Sequence, residues 1–303
     1  MTQIQKTISG HSWLLIAILS LIWGGSFLSV HVALDELGPL TAVAHRTGWA
    51  MLILWGYIAF KRLQIPREPR IWAAFLVMGI LNNVIPFSLM AWGQLHIETG
   101  LTAILNASTA IFGVIAAAIF FADEKLSWRK AIGVTTGFFG VATAIGLANL
   151  THFDLRSIAQ LAVVGGTLSY ALAGVWARKT IGHLKPQVAA AGMVTGASLV
   201  MIPLAWIIEG PITLNLAPAT WLAIGYYAII ATAVAYLLYY RVLALAGSGN
   251  LMLVTLTVAP VAIILGAVTL GEALPLNAYV GFGILALGLI ILDGRLLSRL
   301  KRP

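Results

Sequence analysis

A chain of 303 residues that is 60% hydrophobic and only 9% charged cannot cover a water-soluble core, because soluble domains carry about 25% charged residues. The absence of cysteine excludes a disulfide framework and a thiolate metal site. A formal net charge of +8 would suit nucleic acid, but the positions of the basic residues point to membrane topology instead.

Apolar runs of about 20 residues, long enough to cross a bilayer, predict ten transmembrane helices over residues 12–34, 40–60, 71–94, 100–121, 128–148, 157–177, 187–208, 219–240, 249–270 and 276–297. The first run, from Trp13, follows only Lys6 and has neither the short core nor the cleavage site of a secretory signal. It reads as a retained first helix, with Trp23, Ser26, Ser29 and His31 as its polar and aromatic groups. The second run carries His45 and Arg46 about two turns from its outer end. An arginine at that depth must snorkel or face the interior. Its planar fork suits a substrate carboxylate; a structural arginine held by a helix end or an outer carboxylate is the other reading.

In the third run Asn82 and Asn83 precede Pro86 by one turn, with Ser88 and Trp92 beyond it. Proline removes one intrahelical hydrogen bond and frees a carbonyl, which is tolerated where the helix faces protein or a wet cavity. The fourth run offers Asn106, Ser108 and Thr109. These amides and hydroxyls either line a polar cavity or hydrogen-bond between helices. The fifth and seventh runs hold the GxxxG patterns Gly133–Gly137 and Gly192–Gly196, which allow close helix approach within one chain or in a dimer. Tyr170 and Trp176 lie in the sixth run, and Tyr236, Tyr239 and Tyr240 in the eighth share one face by i, i+3, i+4 spacing. Such a face suits an amphipathic or aromatic solute, or packs in an interfacial belt. Trp13, Trp72, Trp128 and Trp221, at span ends, read as belt residues. Pro203 and Pro260 are pivots or fixed kinks.

With the N-terminus in the cytoplasm, all of the 18 basic residues except Arg156 and Arg46 fall on the cytoplasmic side. That matches the positive-inside rule and an even number of spans, so both termini are expected in the cytoplasm. Glu124 and Glu272 stand 148 residues apart, and the same shift pairs Leu126 with Leu274, Gly133 with Gly281 and Gly140 with Gly288. Five spans lie within that shift, and an odd number of crossings inverts the second copy. The expectation is one membrane domain made of a repeat over 12–148 and an inverted repeat over 157–297, as in many secondary transporters. The alternative is that similar apolar helices align by composition.

Trp23-Gly24-Gly25-Ser26-Phe27, Pro39 followed by Arg46, Ala91 through Glu124 with Gly100 and Asn106, and Pro260 through Glu272 together resemble the drug/metabolite transporter superfamily, in its EamA-like ten-helix branch. The resemblance covers nearly the whole chain. It implies an all-α polytopic membrane protein, ten transmembrane helices as two inverted five-helix repeats around a central cavity, with the fifth and tenth helices peripheral. Within the family the chain looks most like bacterial exporters of amino acids, aromatic ones included, and related metabolites. One departure is Thr109-Ala110-Ile111-Phe112 where many relatives carry a proline, which implies unequal bending of the fourth and ninth helices.

The functional expectation is an inner-membrane transporter of small organic metabolites, foremost amino acids, exported or facilitated by alternating access. It is not an enzyme: no His-Glu-x-x-His, paired Asp or Gly-x-Ser-x-Gly elbow is present. Neither cofactor nor metal is called for. The expected partners are a small-molecule substrate and the lipid bilayer, without nucleic acid, for a monomer or a dimer. Nucleotide sugars, cationic drugs and a channel are the alternatives. The candidate substrate-binding residues are Trp23, Ser26, Arg46, Asn82, Trp92, Asn106, Tyr170, Tyr236 and Tyr239. No carboxylate lies near mid-depth in any span, where proton- or cation-coupled carriers usually place one. That favours facilitated movement, or coupling through end groups.

Overall fold

Proline begins four of the helices. Pro39, Pro69, Pro186 and Pro218 each stand in a first turn, where the fixed φ is already helical and the missing N–H is not needed. The computed structural model describes residues 10–122, 127–145, 155–246 and 253–293. Among these, ten helices follow one another: α1 Gly10–Leu34, α2 Pro39–Phe60, α3 Pro69–Gly93, α4 Thr99–Phe120, α5 Trp128–Ile145, α6 Leu155–Thr180, α7 Pro186–Glu209, α8 residues 218–246, α9 residues 253–270 and α10 Leu276–Asp293. Six of them (α1, α3, α4, α6, α7 and residues 218–239 of α8) are long and apolar enough to cross a membrane. Large apolar side chains such as Phe60, Ile119, Phe139, Ile207 and Leu222 are exposed on the outside of the bundle, as a protein solvated by lipid requires.

Three helices widen into π turns: residues 80–84 in α3, 225–234 in α8 and 266–270 in α9. In α3 the cause is Pro86, which has no N–H to give to Asn82 four residues back. The chain answers with an i−5 bond from Ile85 N–H to the Ile80 carbonyl. α4 lacks a proline, yet it too is interrupted, at Ala107 and Ser108. There Ser108 Oγ donates to the Leu105 carbonyl and Thr109 Oγ1 to the Asn106 carbonyl, both at 2.7 Å. Hydroxyls that bond back to the preceding turn bend helices. The departure noted at Thr109 therefore does not leave α4 straight. α7 runs unbroken through Pro203.

The principal packing pairs are α2 with α7, α4 with α9, α5 with α10, α1 with α9, α6 with α4, α1 with α8, α6 with α3, α7 with α3 and α2 with α8. Adding five to each helix number, modulo ten, returns the same set. Both GxxxG stretches are spent on these internal contacts. A methyl group on Gly192 would strike the Phe75 ring, and one on Gly196 would strike the Leu76 backbone. Across α5 and α10, methyls on Gly140, Gly281 and Gly288 would strike Leu285, Ala144 and Gly137 backbone atoms. Four apolar clusters fill the bundle. Tyr170 borders two of them, and Phe27 borders one of those two and a third. The polar groups described next lie between these clusters.

Candidate functional site

Arg46 stands seven residues into α2 from Pro39, about 10 Å along the helix. Its Nε donates to Thr232 Oγ1 of α8 at 2.9 Å. Its guanidinium carbon lies 3.9 Å from the centroid of the Phe87 ring of α3, a cation–π stack. Tyr170, Tyr227 and Tyr236 are near enough to interact with it electrostatically. Phe87 and Thr232 are buried, while Arg46 above them keeps accessible surface. Its two terminal nitrogens have no protein acceptor among the described residues, and no carboxylate lies within ion-pair distance of it there. It thus neither snorkels to a helix end nor pairs with a carboxylate.

The π turns set this geometry. In α8, Thr232 Oγ1 donates to the Tyr227 carbonyl five residues back at 2.7 Å, which leaves the oxygen's lone pairs for Arg46. In α3, the widened turn precedes Phe87 and fixes the face on which its ring lies. Beside them, Tyr236 OH donates to Asn83 Oδ1 at 3.1 Å and accepts from Asn82 Nδ2 at 3.3 Å. The Tyr170 ring meets the Phe87 ring edge-on at 6.3 Å. Arg46, Asn82, Tyr170 and Tyr236 therefore form one group drawn from α2, α3, α6 and α8.

The remaining candidates fall into neighbouring groups. Trp23 of α1 donates from Nε1 to the Ala231 carbonyl at 3.1 Å, and its ring lies 5.9 Å from that of Tyr239. Ser26 is buried on α1. Trp92 packs edge-on against His96 at 4.9 Å and, like Phe27, against the α4–α6–α9 cluster. Asn106 has a buried Oδ1 with no partner among the described residues. Tyr240 and Glu124 lie outside the residues whose side chains are described. Trp72, read as a belt residue, stacks on Trp55 at 6.0 Å and donates to the Pro66 carbonyl. Sequence reasoning passed over Phe87, Thr232 and Tyr227. Thr232 left one faint signal, a lone hydroxyl in the apolar run from Ala228 to Val234.

One end of the bundle carries Glu36, Glu98, Glu209 and Glu272, and each binds across the bundle. Glu209, at the end of α7, accepts from Leu40 N at 2.9 Å and Thr41 N at 2.8 Å, the first turn of α2. Glu272 accepts from Thr99 N, Thr99 Oγ1 and Gly100 N, the start of α4. Glu36 accepts from Ala217 N at 3.0 Å and from Thr220 Oγ1, at the start of α8. Carboxylates favour such sites because free N–H groups and the helix dipole present positive charge there. Gly38 and Gly266 leave the space that the Glu209 and Glu272 carboxylates fill. Glu98 pairs with Arg156 of α6 at 2.8 Å. Two cavities lie away from the Arg46 group: one of about 490 Å³ beside Glu98, Arg156 and Gln160, and one of about 150 Å³ beside Ser108 and Phe112.

The profile of the EamA-like transporter family matches this chain twice, over residues 10–146 and 157–292. The uncharacterized transporter YoaV of Bacillus subtilis is 25% identical over 171 residues, which is 56% of this chain and 58% of that protein. A probable terminal-alkyne amino-acid exporter of Streptantibioticus cattleyicolor is 28% identical over 95% of this chain and 94% of its own length. A protein of known crystal structure superposes with a TM-score of 0.69 at 17% identity, over 96% of this chain and 99% of that one; this likeness concerns the fold alone.

Proposed function

We propose that this chain, which belongs to the EamA-like transporter family, carries small carboxylate-bearing metabolites across a membrane by alternating access, with amino acids, aromatic ones included, foremost. The observation that carries this reading is Arg46: an interior guanidinium with its face on Phe87, its Nε on Thr232 and its terminal nitrogens unpartnered among the described residues. A cation inside a membrane protein is costly to leave without a counter-charge. Here the missing counter-charge is the substrate's carboxylate, taken by the fork of the guanidinium. The rings of Tyr170, Phe87 and Tyr236 then offer apolar area to the rest of the solute.

The packing pairs that survive exchange of the first five helices with the last five, and the double family match, support two inverted repeats over 12–148 and 157–297. In this reading the basic end faces the cytoplasm of a bacterial cell and the glutamate-rich end faces out. The similarity to a probable terminal-alkyne amino-acid exporter of Streptantibioticus cattleyicolor favours amino acids over nucleotide sugars, whose phosphates would call for several basic groups in the spans. The test is solute flux in proteoliposomes with a panel of amino acids, nucleotides and organic cations. Saturable flux of an amino acid that Arg46→Ala, Asn82→Ala and Tyr236→Ala each reduce is the expected result. Unchanged flux in all three variants would remove this site.

A further inference from the structure

We infer that the Arg46 site also takes solutes that are net anions, a carboxylate on an uncharged body, and that the membrane potential alone drives their export. The inference rests on the reading of Arg46 as the substrate's partner and adds the charge of the transported species and its driving force. The chain has ten acidic residues: Asp35, Glu36, Glu68, Glu98, Asp123, Glu124, Asp154, Glu209, Glu272 and Asp293. Those that the structure describes all lie at a helix end or between helices, and four of them are already engaged in the links at the glutamate-rich end. Among the described residues, the site around Arg46 therefore holds one fixed positive charge and no carboxylate.

That count has two consequences. A zwitterion seats its carboxylate on Arg46 and brings its ammonium within a few Å of the same guanidinium. Like charges at that distance in a poorly solvated site repel, and no carboxylate is there to take the ammonium. Tyr236 OH already gives to Asn83 and accepts from Asn82, and Thr232 Oγ1 already meets Arg46 Nε; the Tyr227 OH near Arg46 is a buried hydroxyl without a partner among the described residues. An anion with a hydroxyl or other neutral group in place of the ammonium neutralises Arg46 and adds no second cation. The other consequence concerns energy. No interior carboxylate is available to carry a proton or a cation with the solute, so coupling through such a group is absent. A net anion needs none, because each turnover moves one negative charge. A potential of 100 mV, negative inside, is worth about 2.3 kcal/mol per charge and sustains an anion ratio of about 50-fold in favour of the outside.

Phenyllactate and phenylalanine test this, since they differ by a hydroxyl in place of the ammonium. The full-length protein is reconstituted in liposomes loaded with one or the other, and a potassium diffusion potential is imposed with valinomycin. At 100 mV, interior negative, phenyllactate is expected to leave until the ratio reaches about 50-fold, with the reverse potential reversing the flow. A pH gradient of matching size, imposed without a potential, is expected to drive no net accumulation. Phenylalanine, which carries no net charge, is expected to move only down its gradient. Arg46→Gln is expected to abolish phenyllactate flux, and Arg46→Lys, which keeps the charge, to retain the response to potential at reduced rate. Phenyllactate accumulation that follows the pH gradient and ignores the potential overturns the inference. So does faster phenylalanine flux together with phenyllactate exclusion, an outcome that leaves the amino-acid carrier standing. Flux of both solutes no faster than in protein-free liposomes would sink the carrier reading itself.

Discussion

Thr232 shows how one hydroxyl can position a charge. It gives its hydrogen to the Tyr227 carbonyl and receives Arg46 Nε, so the guanidinium plane is fixed before any solute arrives. Replacing it with Val keeps the shape and leaves Nε without a partner. A hydrogen bond to a charged group is worth about 1.5–3 kcal/mol. Thr232→Val should thus raise the KM for a carboxylate solute by about tenfold or more, with rescue by Thr232→Ser. A purely structural hydroxyl would lower thermal stability instead and leave KM unmoved. Arg46 itself was legible in the sequence, because an arginine two turns inside an apolar run must be accounted for. Its partners were not. Thr232 is 186 residues away and Phe87 is one apolar residue among many in α3. The Asn82/Asn83 pair was legible as polar, but which amide accepts from Tyr236 depends on the π turn, and a one-residue change of register rotates a side chain by about 100°.

At the level of the helix, two of the three π turns stand beside Arg46. Residues 80–84 of α3 precede Phe87 and residues 225–234 of α8 contain Thr232, the two groups that hold Arg46. A proline announces the first, and nothing in the sequence announces the second, since π turns arise where packing and side-chain bonding outweigh local preference. Pro86→Ala restores an N–H donor to the Asn82 carbonyl. It should let α3 tighten toward α-geometry, swing Phe87 from beneath Arg46, and lower transport without lowering the melting temperature. Bulk on the α3–α7 contact should act in the opposite manner. Gly79→Val forces a side chain onto the α7 backbone near Ala197, and overpacking of this kind costs about 1–3 kcal/mol or more. A fall in melting temperature of several degrees, read from intrinsic fluorescence in detergent, is the expected result.

For the whole molecule, the four glutamate links share a pattern that no single one reveals. Glu36 to α8, Glu209 to α2, Glu272 to α4 and Glu98 to Arg156 of α6 all join one of the first five helices, or the turn beside it, to one of the last five. All four stand at the same end and join the two halves of the chain there. Losing a capping carboxylate costs about 1 kcal/mol, and Glu209→Ala with Glu272→Ala together should shift the population toward opening at that end by tenfold or more. The chain has no cysteine, so a single one replacing Ser88 reports this cleanly: faster labelling by an impermeant maleimide is expected in the double variant. The ten helices were readable from the lengths of the apolar runs and the charges between them. The links were not, because an acidic residue near a span end looks the same whether it meets water or a helix start.

The seam between α5 and α10 has a different consequence. Glycines there bring backbone against backbone, and a single methyl on Gly140 or Gly281 would collide with the opposite main chain. Surfaces in such close register cannot slide, and the same holds where Gly79 and Gly196 bring α3 and α7 together. In the proposed alternating-access cycle the α5–α10 pair is expected to act as a fixed axle. Spin labels on the lipid-facing sides of α5 and α10 should keep one unchanging separation with and without solute, while a pair spanning α2 and α7 near Glu209 shows two.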